Sequence, residues 1–195
     1  MKSTTDTLRK LRKEIEKVQD AKRFEHTLGV EYTAASLAMR YGASVKSAQT
    51  AGLLHDCAKC LTGEELLSVC RKNRIPVSKL EESNPFLLHA KAGAYLAREQ
   101  YGVEDQDILQ AIHNHTTGRP GMSLLEKIVF IADYIEPGRN HAPNLEEIRR
   151  LAFTDLDGAL LRILEDTLEY LDGGNRDVDP MTRKTWEYYR EGSKP

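Results

Sequence analysis

Residues 44–56, SVKSAQTAGLLHD, are the stretch that decides the fold. Apolar side chains recur in it at the spacing of one helix face, at Val45, Ala48, Ala51 and Leu54. Ser44 stands where a helix N-cap is expected, because its hydroxyl can accept a bond from a free backbone N–H of the first turn. The stretch therefore predicts a helix that ends in two polar residues, His55 and Asp56.

The rest of the chain repeats this three-and-four spacing, and no segment alternates apolar and polar residues as a half-buried strand would. Gly42 is typical of a helix C-terminus, and Thr62-x-x-Glu65 and Ser123-x-x-Glu126 are capping boxes that open two helices. The sequence therefore predicts an all-α fold. Further helices are expected at about 8–18, 24–41, 87–101, 105–115, 123–135 and 154–171, with a short one from 144, a last one from 180, and an irregular stretch after 76.

Length and charge exclude several classes of protein. The 195 residues predict a single domain over residues 1–195, and 28 basic against 30 acidic residues leave a net charge of −2. That balance gives no reason to expect nucleic acid or an anionic membrane as a partner. No apolar stretch approaches the roughly 20 residues that a membrane span needs. The charged start of the chain does not resemble a signal peptide, so we expect a cytoplasmic protein.

The cysteines indicate no clear chemical role. Cys57, Cys60 and Cys70 are odd in number, and two of them lie one helical turn apart, which is a poor disulfide framework. Cys57 and Cys60 have the CxxC spacing of zinc and redox sites. However, no second CxxC follows, and no strand precedes them as a thioredoxin-like site requires. Small buried thiols are the favoured interpretation, and a chemical role for this pair stays open.

Histidines and aspartates in apolar surroundings are the candidates for chemistry. They are His26, His55, Asp56, His89, His115 and Asp133. Asp133 interrupts the apolar run 128–135, where a carboxylate needs a cation or a network of partners. Imidazole and carboxylate are natural ligands for iron, manganese, cobalt and zinc. Six ligands exceed what one catalytic ion requires, so they favour two ions bridged by a carboxylate. Such pairs support displacement at phosphorus or, with iron, oxygen chemistry.

Local motifs give these residues a family context. The sequence contains Arg23-x-x-His26, Leu-His-Asp-x-x-Lys at 54–59, His-Thr-Thr-Gly-Arg at 115–119 and Ala-Asp-Tyr-Ile-Glu-Pro-x-Arg at 132–139. In this order and with these strings, the chain resembles the bacterial YqeK family of HD-domain metal-dependent phosphohydrolases. The similarity covers roughly residues 23–180. The resemblance implies an HD-domain helical bundle with a core at about 22–172.

The resemblance also implies an activity. It is that of a di-iron hydrolase that splits diadenosine tetraphosphate symmetrically into two ADP, by attack of a metal-activated hydroxide on phosphorus. Carried over by position, one ion would be held by His26, His55, Asp56 and Asp133. The other would be held by Asp56, His89 and His115. Manganese or cobalt would suit the same ligands as iron.

Substrate contacts are expected around these ligands. Lys59 follows His55 by one helical turn and can stabilise the departing ADP. Asp56 and Lys59 are therefore the catalytic candidates. Arginine guanidinium groups in nearby loops can donate two hydrogen bonds to phosphate oxygens. Threonine hydroxyls next to a predicted metal ligand can donate to the substrate as well. The expected substrate-binding residues are Arg23, Lys59, Thr116, Thr117, Arg119 and Arg139, together with Asn175, Arg176 and Pro180 in the C-terminal segment 173–195, which in the family closes over the nucleotide.

That segment departs from the family pattern, since Lys184-Thr185-Trp186 follows the Pro-Met-Thr of residues 180–182. The departure leaves the adenine contacts open. His113 and His141 are left out of the ligand set, because a solvated surface explains them better.

Other functions remain in competition. An HD-fold oxygenase can use the same six ligands, although the cationic set of Lys59, Arg119 and Arg139 favours a phosphate substrate. Hydrolysis of a cyclic dinucleotide is disfavoured because no Gly-Tyr-Pro follows where that branch carries it. A non-enzymatic nucleotide sensor with a structural metal is the remaining alternative. Amphipathic helices at both ends leave a homodimer open.

Overall fold

The computed structural model describes residues 4–174 and 177–192. Within them the chain forms eleven α-helices and one 3₁₀ turn, Pro85–Leu88, and no strand. The helices are α1 Thr4–Glu16, α2 Ala21–Tyr41, α3 Val45–Leu54, α4 Gly63–Lys72, α5 Lys79–Ser83, α6 His89–Glu99, α7 Gln106–Asn114, α8 Leu124–Ile135, α9 Leu145–Leu151, α10 Leu156–Gly173 and α11 Pro180–Arg190. The all-α prediction is confirmed.

Helix ends follow the capping chemistry of the sequence. The Thr62 and Ser123 capping boxes are both complete, with the side chain of each cap bonded to the N3 backbone and the N3 glutamate bonded back. Gly42 ends α2 in the left-handed conformation at φ 73°, which a residue with a Cβ adopts only with strain. Asp179 caps α11 with Pro180 at its first position.

The structure differs from the expectation most clearly in one additional helix and in the start of α2. The stretch after Pro76 contains α5, opened by a capping box between Ser78 and Glu81, although it was expected to be irregular. Five residues are too few to display a helical period, so the periodicity could not reveal this helix. α2 begins at Ala21 rather than near Phe24, because Asp20 accepts the N–H of Arg23 as an N-cap.

The centre of the bundle is built from α2, α3, α7 and α8. α2 packs against α3 and α8, and α7 packs against α3, α6 and α8. Their fully buried side chains include Leu37, Leu53, Leu54, Ile112, Ile128 and Ile131. Burial of each such side chain contributes about 1.5–3 kcal/mol. This packing brings the C-terminal ends of α3 and α7 beside α2 and α8, which is where the candidate ligands lie.

Within the described residues, no helix combines the length and the apolarity that crossing a bilayer requires.

Candidate metal centre

Five helices, α2, α3, α6, α7 and α8, position the six predicted ligands. His26 lies on α2, His55 is the C-cap of α3 with Asp56 after it, and His115 is the C-cap of α7. His89 opens α6, and Asp133 lies on the last turn of α8.

Three of the histidines have the same local anchor. In each, Nδ1 lies within hydrogen-bond distance of the carbonyl oxygen three residues earlier: 2.6 Å from Gly52 for His55, 2.7 Å from Phe86 for His89, and 2.7 Å from Ile112 for His115. When Nδ1 carries the proton it donates to that carbonyl, and the Nε2 lone pair is free to bind a cation. The backbone therefore prepares three Nε2 atoms as ligands.

Asp56 lies in the middle of the cluster. Its Oδ1 is 3.4 Å from Nε2 of His89 and 3.5 Å from Nε2 of His115, and its Oδ2 is 3.5 Å from Nε2 of His55. Only 4% of its side chain is exposed. One carboxylate thus faces histidines on two sides, as a bridging ligand must.

The remaining ligands close the other side. Asp133 Oδ1 lies 3.0 Å from Nε2 of His26 and 3.9 Å from Nε2 of His55. Donor atoms within 4.8 Å of one another form three overlapping groups: His26, His55 and Asp56; His55, His115 and Asp133; and Asp56, His89 and His115. All six side chains that the sequence singles out therefore converge in one place.

The donor set fits transition-metal ions. Among the described residues, Nε2 of His55 and Oδ1 of Asp56 are buried and have no hydrogen-bond partner. Burying such atoms unpaired costs on the order of 1–3 kcal/mol each, and a cation between them would remove that cost. A mixed nitrogen and carboxylate set suits iron, manganese, cobalt or zinc rather than magnesium. The cluster can hold a divalent metal.

The electrostatics of the centre favour the metal-binding protonation states of Asp56 and His89. Burial works against the charged form of Asp56, but the facing imidazoles of His55 and His115 hold its pKa well below the ordinary value. Burial, with the neighbouring His115 and Lys59, lowers the pKa of His89 to about 3. An anionic carboxylate and a neutral imidazole are the forms that bind metal.

Glu136 is a site residue that the sequence analysis missed as a functional group. Its Oε1 lies 3.0 Å from Nδ1 of His26, and its Oε2 accepts the backbone N–H of Gly138 at 2.5 Å. Only 4% of Glu136 is exposed to solvent. A carboxylate on the far nitrogen of a ligand histidine fixes the ring orientation and strengthens the ligand. The sequence did contain a signal, because Glu136 lies within the Ala-Asp-Tyr-Ile-Glu-Pro motif at 132–137.

Gly29 makes room for that carboxylate. It lies on α2 three residues after His26, and a Cβ at this position would overlap Oε2 of Glu136. Gly29→Ala is expected to displace Glu136 from His26 and to weaken metal binding about 10- to 100-fold, the usual effect of losing such a partner. Calorimetric titration of metal-free protein with Mn²⁺ measures this change.

Gly173→Ala is the matched control, because a Cβ there has nothing within 4 Å. A second control is Gly29→Ala in a Glu136→Ala background. With the obstructing carboxylate gone, alanine should stabilise α2 by up to about 1 kcal/mol through its helix propensity. Unchanged Mn²⁺ affinity in the single Gly29→Ala variant would refute the role given to Glu136.

Three of the expected substrate residues lie beside the cluster. Arg23 Nη1 donates to Oδ2 of Asp56 at 2.9 Å, and Arg139 Nη2 donates to Oδ1 of Asp133 at 2.9 Å. The Nζ atom of Lys59 is 3.2 Å from Nε2 of His89. Burial lowers the pKa of Lys59, against the attraction of the nearby Asp56 and Asp133. The cluster is therefore flanked by three cationic side chains.

Other expected substrate residues have different surroundings. Arg119 donates to both carboxylate oxygens of the buried Glu126, at 2.7 and 2.6 Å. Thr117 donates its hydroxyl to the carbonyl of Gly118, and Pro180 opens α11. Thr116 lines a cavity beside His115. The substrate roles of these residues stay predictions. Asn175 and Arg176 lie outside the described residues.

The structure agrees with the sequence-based expectation for one of the two remaining histidines, and it leaves the three cysteines as free thiols. His141 is exposed as expected, but the solvated position expected for His113 is wrong. His113 is partly buried, and burial together with the nearby Lys91 lowers its pKa. All three cysteines are free thiols. Burial raises the pKa of Cys57 to about 12, which makes it an inert thiol, whereas Cys60 is exposed.

Two cavities adjoin the cluster. One of about 210 Å³ is lined by His115, Thr116 and Asp133 among others. The other, of about 1000 Å³, is lined by residues that include Arg23, His26 and Glu136. Four residues line both cavities: Tyr134, Arg139, Ala142 and Thr167. Space for a ligand the size of a nucleotide therefore lies directly beside the predicted metal ligands.

Comparisons with known proteins agree with this geometry. The HD domain family matches residues 23–138. The symmetrical bis(5'-nucleosyl)-tetraphosphatase of Bacillus subtilis is 45% identical over 171 residues, which are 88% of this chain and 91% of that protein. The protein of the same name from Staphylococcus aureus is 34% identical, over 86% of this chain and 87% of its own length.

A solved structure agrees as well. A crystal structure described as that of a predicted HD superfamily hydrolase involved in NAD metabolism, from Clostridium acetobutylicum, has a TM-score of 0.90 and 40% identity, and the match covers 93% of this chain and 96% of that chain. The chain therefore belongs to the HD domain family and, within it, to the YqeK group that its motifs resemble.

Proposed function

We propose that the chain is a metal-dependent, symmetrical bis(5'-nucleosyl)-tetraphosphatase that cleaves diadenosine tetraphosphate into two ADP. The observation that carries the proposal is the cluster itself. Six side chains with nitrogen or oxygen donors converge in one cluster and are flanked by three cations, in a chain 45% identical to an enzyme of that name. The cations beside the ligands favour a phosphate substrate over oxygen.

The proposed ligand sets share Asp56. His26, His55, Asp56 and Asp133 would hold one ion, and Asp56, His89 and His115 would hold the other. The last three already lie within 4.8 Å of one another, which supports that set. Such ions supply Lewis acidity and a water whose pKa is lowered toward neutrality. We propose iron as the native metal, with manganese and cobalt as substitutes.

The chain's own residues would bind and orient the polyphosphate. Arg23 and Arg139 lie within hydrogen-bond distance of the carboxylates of Asp56 and Asp133, so phosphate oxygens bound at the same place are within their reach. Charge-assisted bonds from arginine to phosphate are among the strongest that side chains form. The larger cavity beside Arg23 has room for a nucleoside. Additional contacts are proposed for Lys59, Thr116, Thr117, Arg119, Asn175, Arg176 and Pro180.

Product analysis tests the proposed function. Protein purified without oxygen is analysed for metal and then incubated with diadenosine tetraphosphate under anaerobic conditions. ADP as the only nucleotide product supports symmetrical hydrolysis. ATP with AMP would exclude the symmetry, and a reaction that requires oxygen would favour an HD-fold oxygenase. Nucleotide binding without turnover under any metal would favour a sensor.

Location, assembly and domain organisation follow as proposals. The free thiols Cys57, Cys60 and Cys70 agree with a reducing compartment, and we propose the cytoplasm. We propose a single domain over residues 1–195, in which the segment 173–195 closes over the nucleotide. We also propose that two copies of the chain form a homodimer through the terminal helices. Light scattering of the purified protein tests this assembly.

A further inference from the structure

The segment 136–144 connects the metal ligands to the substrate cavities. It begins directly after α8, which carries Asp133, and it contains Arg139, which lines both cavities. Arg139 lies in no helix, and 44% of its side chain is exposed. Its guanidinium donates to the carbonyl of Asp133 at 3.0 Å and to Oδ1 of Asp133 at 2.9 Å, so its reach toward a substrate depends on where the backbone of this segment holds Arg139.

Arg149, on α9, holds that backbone. Its Nε donates to the carbonyl of Ile135 at 2.9 Å, and its Nη2 donates to the carbonyls of Glu136 at 2.8 Å and Arg139 at 3.0 Å. The first of these carbonyls belongs to the last residue of α8, where the helix leaves acceptors without partners. One planar guanidinium thus joins the end of α8 to the backbone of Arg139.

The backbone at Arg149 is held by the packing of α9 rather than by these hydrogen bonds. On the same helix, Ile148 is fully buried and Leu145 is 9% exposed. The far end of the segment has a second anchor, because Asn144 donates to both carboxylate oxygens of the buried Asp166, at 3.0 and 3.1 Å. Removing the Arg149 guanidinium is therefore expected to loosen the middle of the segment, where the N–H of Arg139 still donates to the carbonyl of Glu136 at 3.0 Å, while α9 and Asn144 stay in place.

Glu136 has bonds that do not depend on Arg149. Its N–H donates to the carbonyl of Ala132 at 3.0 Å, as a continuation of the helix, and its carboxylate lies on His26. Glu136 and its contact with His26 are consequently held without Arg149. We infer that Arg149 is a positioning residue that places Arg139 for the phosphates of the substrate. This inference rests on the proposed function, because it assigns Arg139 to a nucleotide polyphosphate.

A double-mutant cycle between Arg149 and Arg139 tests the inference. Binding of ADP to the metal-loaded protein is measured by calorimetry, and KM and kcat are measured with diadenosine tetraphosphate. Arg139→Ala should weaken ADP binding about 10- to 100-fold, as loss of a charged hydrogen bond does. Arg149→Ala should weaken it about 10-fold and raise KM more than it lowers kcat. In an Arg139→Ala background, Arg149→Ala should change ADP binding less than twofold.

Controls separate positioning from general stability. Arg150→Ala removes the next arginine of α9, which is exposed, and should leave ADP binding unchanged. Metal content should stay at the wild-type value in Arg149→Ala. Arg149→Lys keeps the charge but not the planar fork, and should restore only part of the affinity. If Arg149→Ala does not fold, the same cycle is run with Arg149→Lys.

Two results would overturn the inference. One is additive losses of ADP affinity in the cycle, since independent residues add while coupled ones do not. The other is loss of metal together with ADP binding in Arg149→Ala, which would place the effect on the ligands. Failure of the proposed function is a separate outcome, because it would appear as absent turnover in the wild-type protein.

Discussion

Asp56→Ala is expected to lower hydrolysis of diadenosine tetraphosphate by at least about a thousandfold and to empty the metal centre. The reason is geometric, because the two oxygens of Asp56 face His55 on one side and His89 and His115 on the other. Removing one carboxylate therefore removes a ligand from both proposed metal sites at once. Metal analysis of the purified variant and a rate assay with added Mn²⁺ measure the two losses.

The design of this experiment must separate lost ligation from lost folding. The backbone carbonyl of Asp56 accepts a bond from Nε2 of Gln19 at 3.0 Å, and this bond does not involve the mutated side chain. Asp56→Asn preserves the side-chain volume and is run in parallel. Asp172→Ala is the matched control, since that carboxylate is 55% exposed and pairs with Arg183 on the surface. An Asp56→Ala protein with full metal content and rate would disprove the bridging assignment.

The helices could be predicted because their signals are local. Capping residues such as Thr62, Ser123 and Asp179 satisfy backbone groups within three residues, so the sequence contains the whole interaction. α5 has the same kind of box but only five residues, so there was too little length for a periodic pattern. The fold class was predictable from capping and periodicity together, whereas the shortest helix offered only its capping box, Ser78-x-x-Glu81, without a period to support it.

The ligands of the site were predictable for a different reason. A histidine or aspartate within an apolar run is conspicuous in sequence, as Asp133 is, because burial there needs a partner. Residues that act through long-range contacts leave no such signal. Glu136 contacts His26 across 110 positions of the chain, and no pattern connects the two. Arg149 shows the same limit, because an arginine on a short helix reads as a solvated surface residue.

Arg119 illustrates how tertiary contacts alter an expectation. In sequence it follows a ligand histidine and seemed free to meet phosphate. In the fold it forms a two-point pair with Glu126, whose carboxylate also accepts a bond from Asn114 at 2.8 Å. A guanidinium held in this way has less freedom to reach a substrate than that of Arg139. The pairing depends on how α8 packs against α7, which local sequence does not state.

Lys59→Ala is expected to lower kcat about 100- to 1000-fold while metal content stays at the wild-type value, the size of effect seen when one electrostatic stabiliser of a transition state is lost. Lys59 is partly buried, and its Nζ is 3.2 Å from Nε2 of His89. This contact is with an imidazole ring, whereas Arg23 donates to a carboxylate oxygen of Asp56. The charge of Lys59 is therefore free to meet the negative charge that develops on a departing ADP.

The nature of the leaving group decides whether Lys59 acts in this way. A substrate whose leaving group is more acidic than ADP, such as a nucleoside 5'-(2,4-dinitrophenyl) phosphate, needs less stabilisation of the departing oxygen, so the effect of Lys59→Ala should shrink with it. Lys59→Arg, which keeps a charge, should retain more kcat than Lys59→Ala, and Lys72→Ala on the exposed surface should change nothing. A raised KM with unchanged kcat would instead make Lys59 a substrate-binding residue, because uniform binding affects KM alone. Loss of metal in Lys59→Ala would assign the residue to the support of His89 rather than to the reaction.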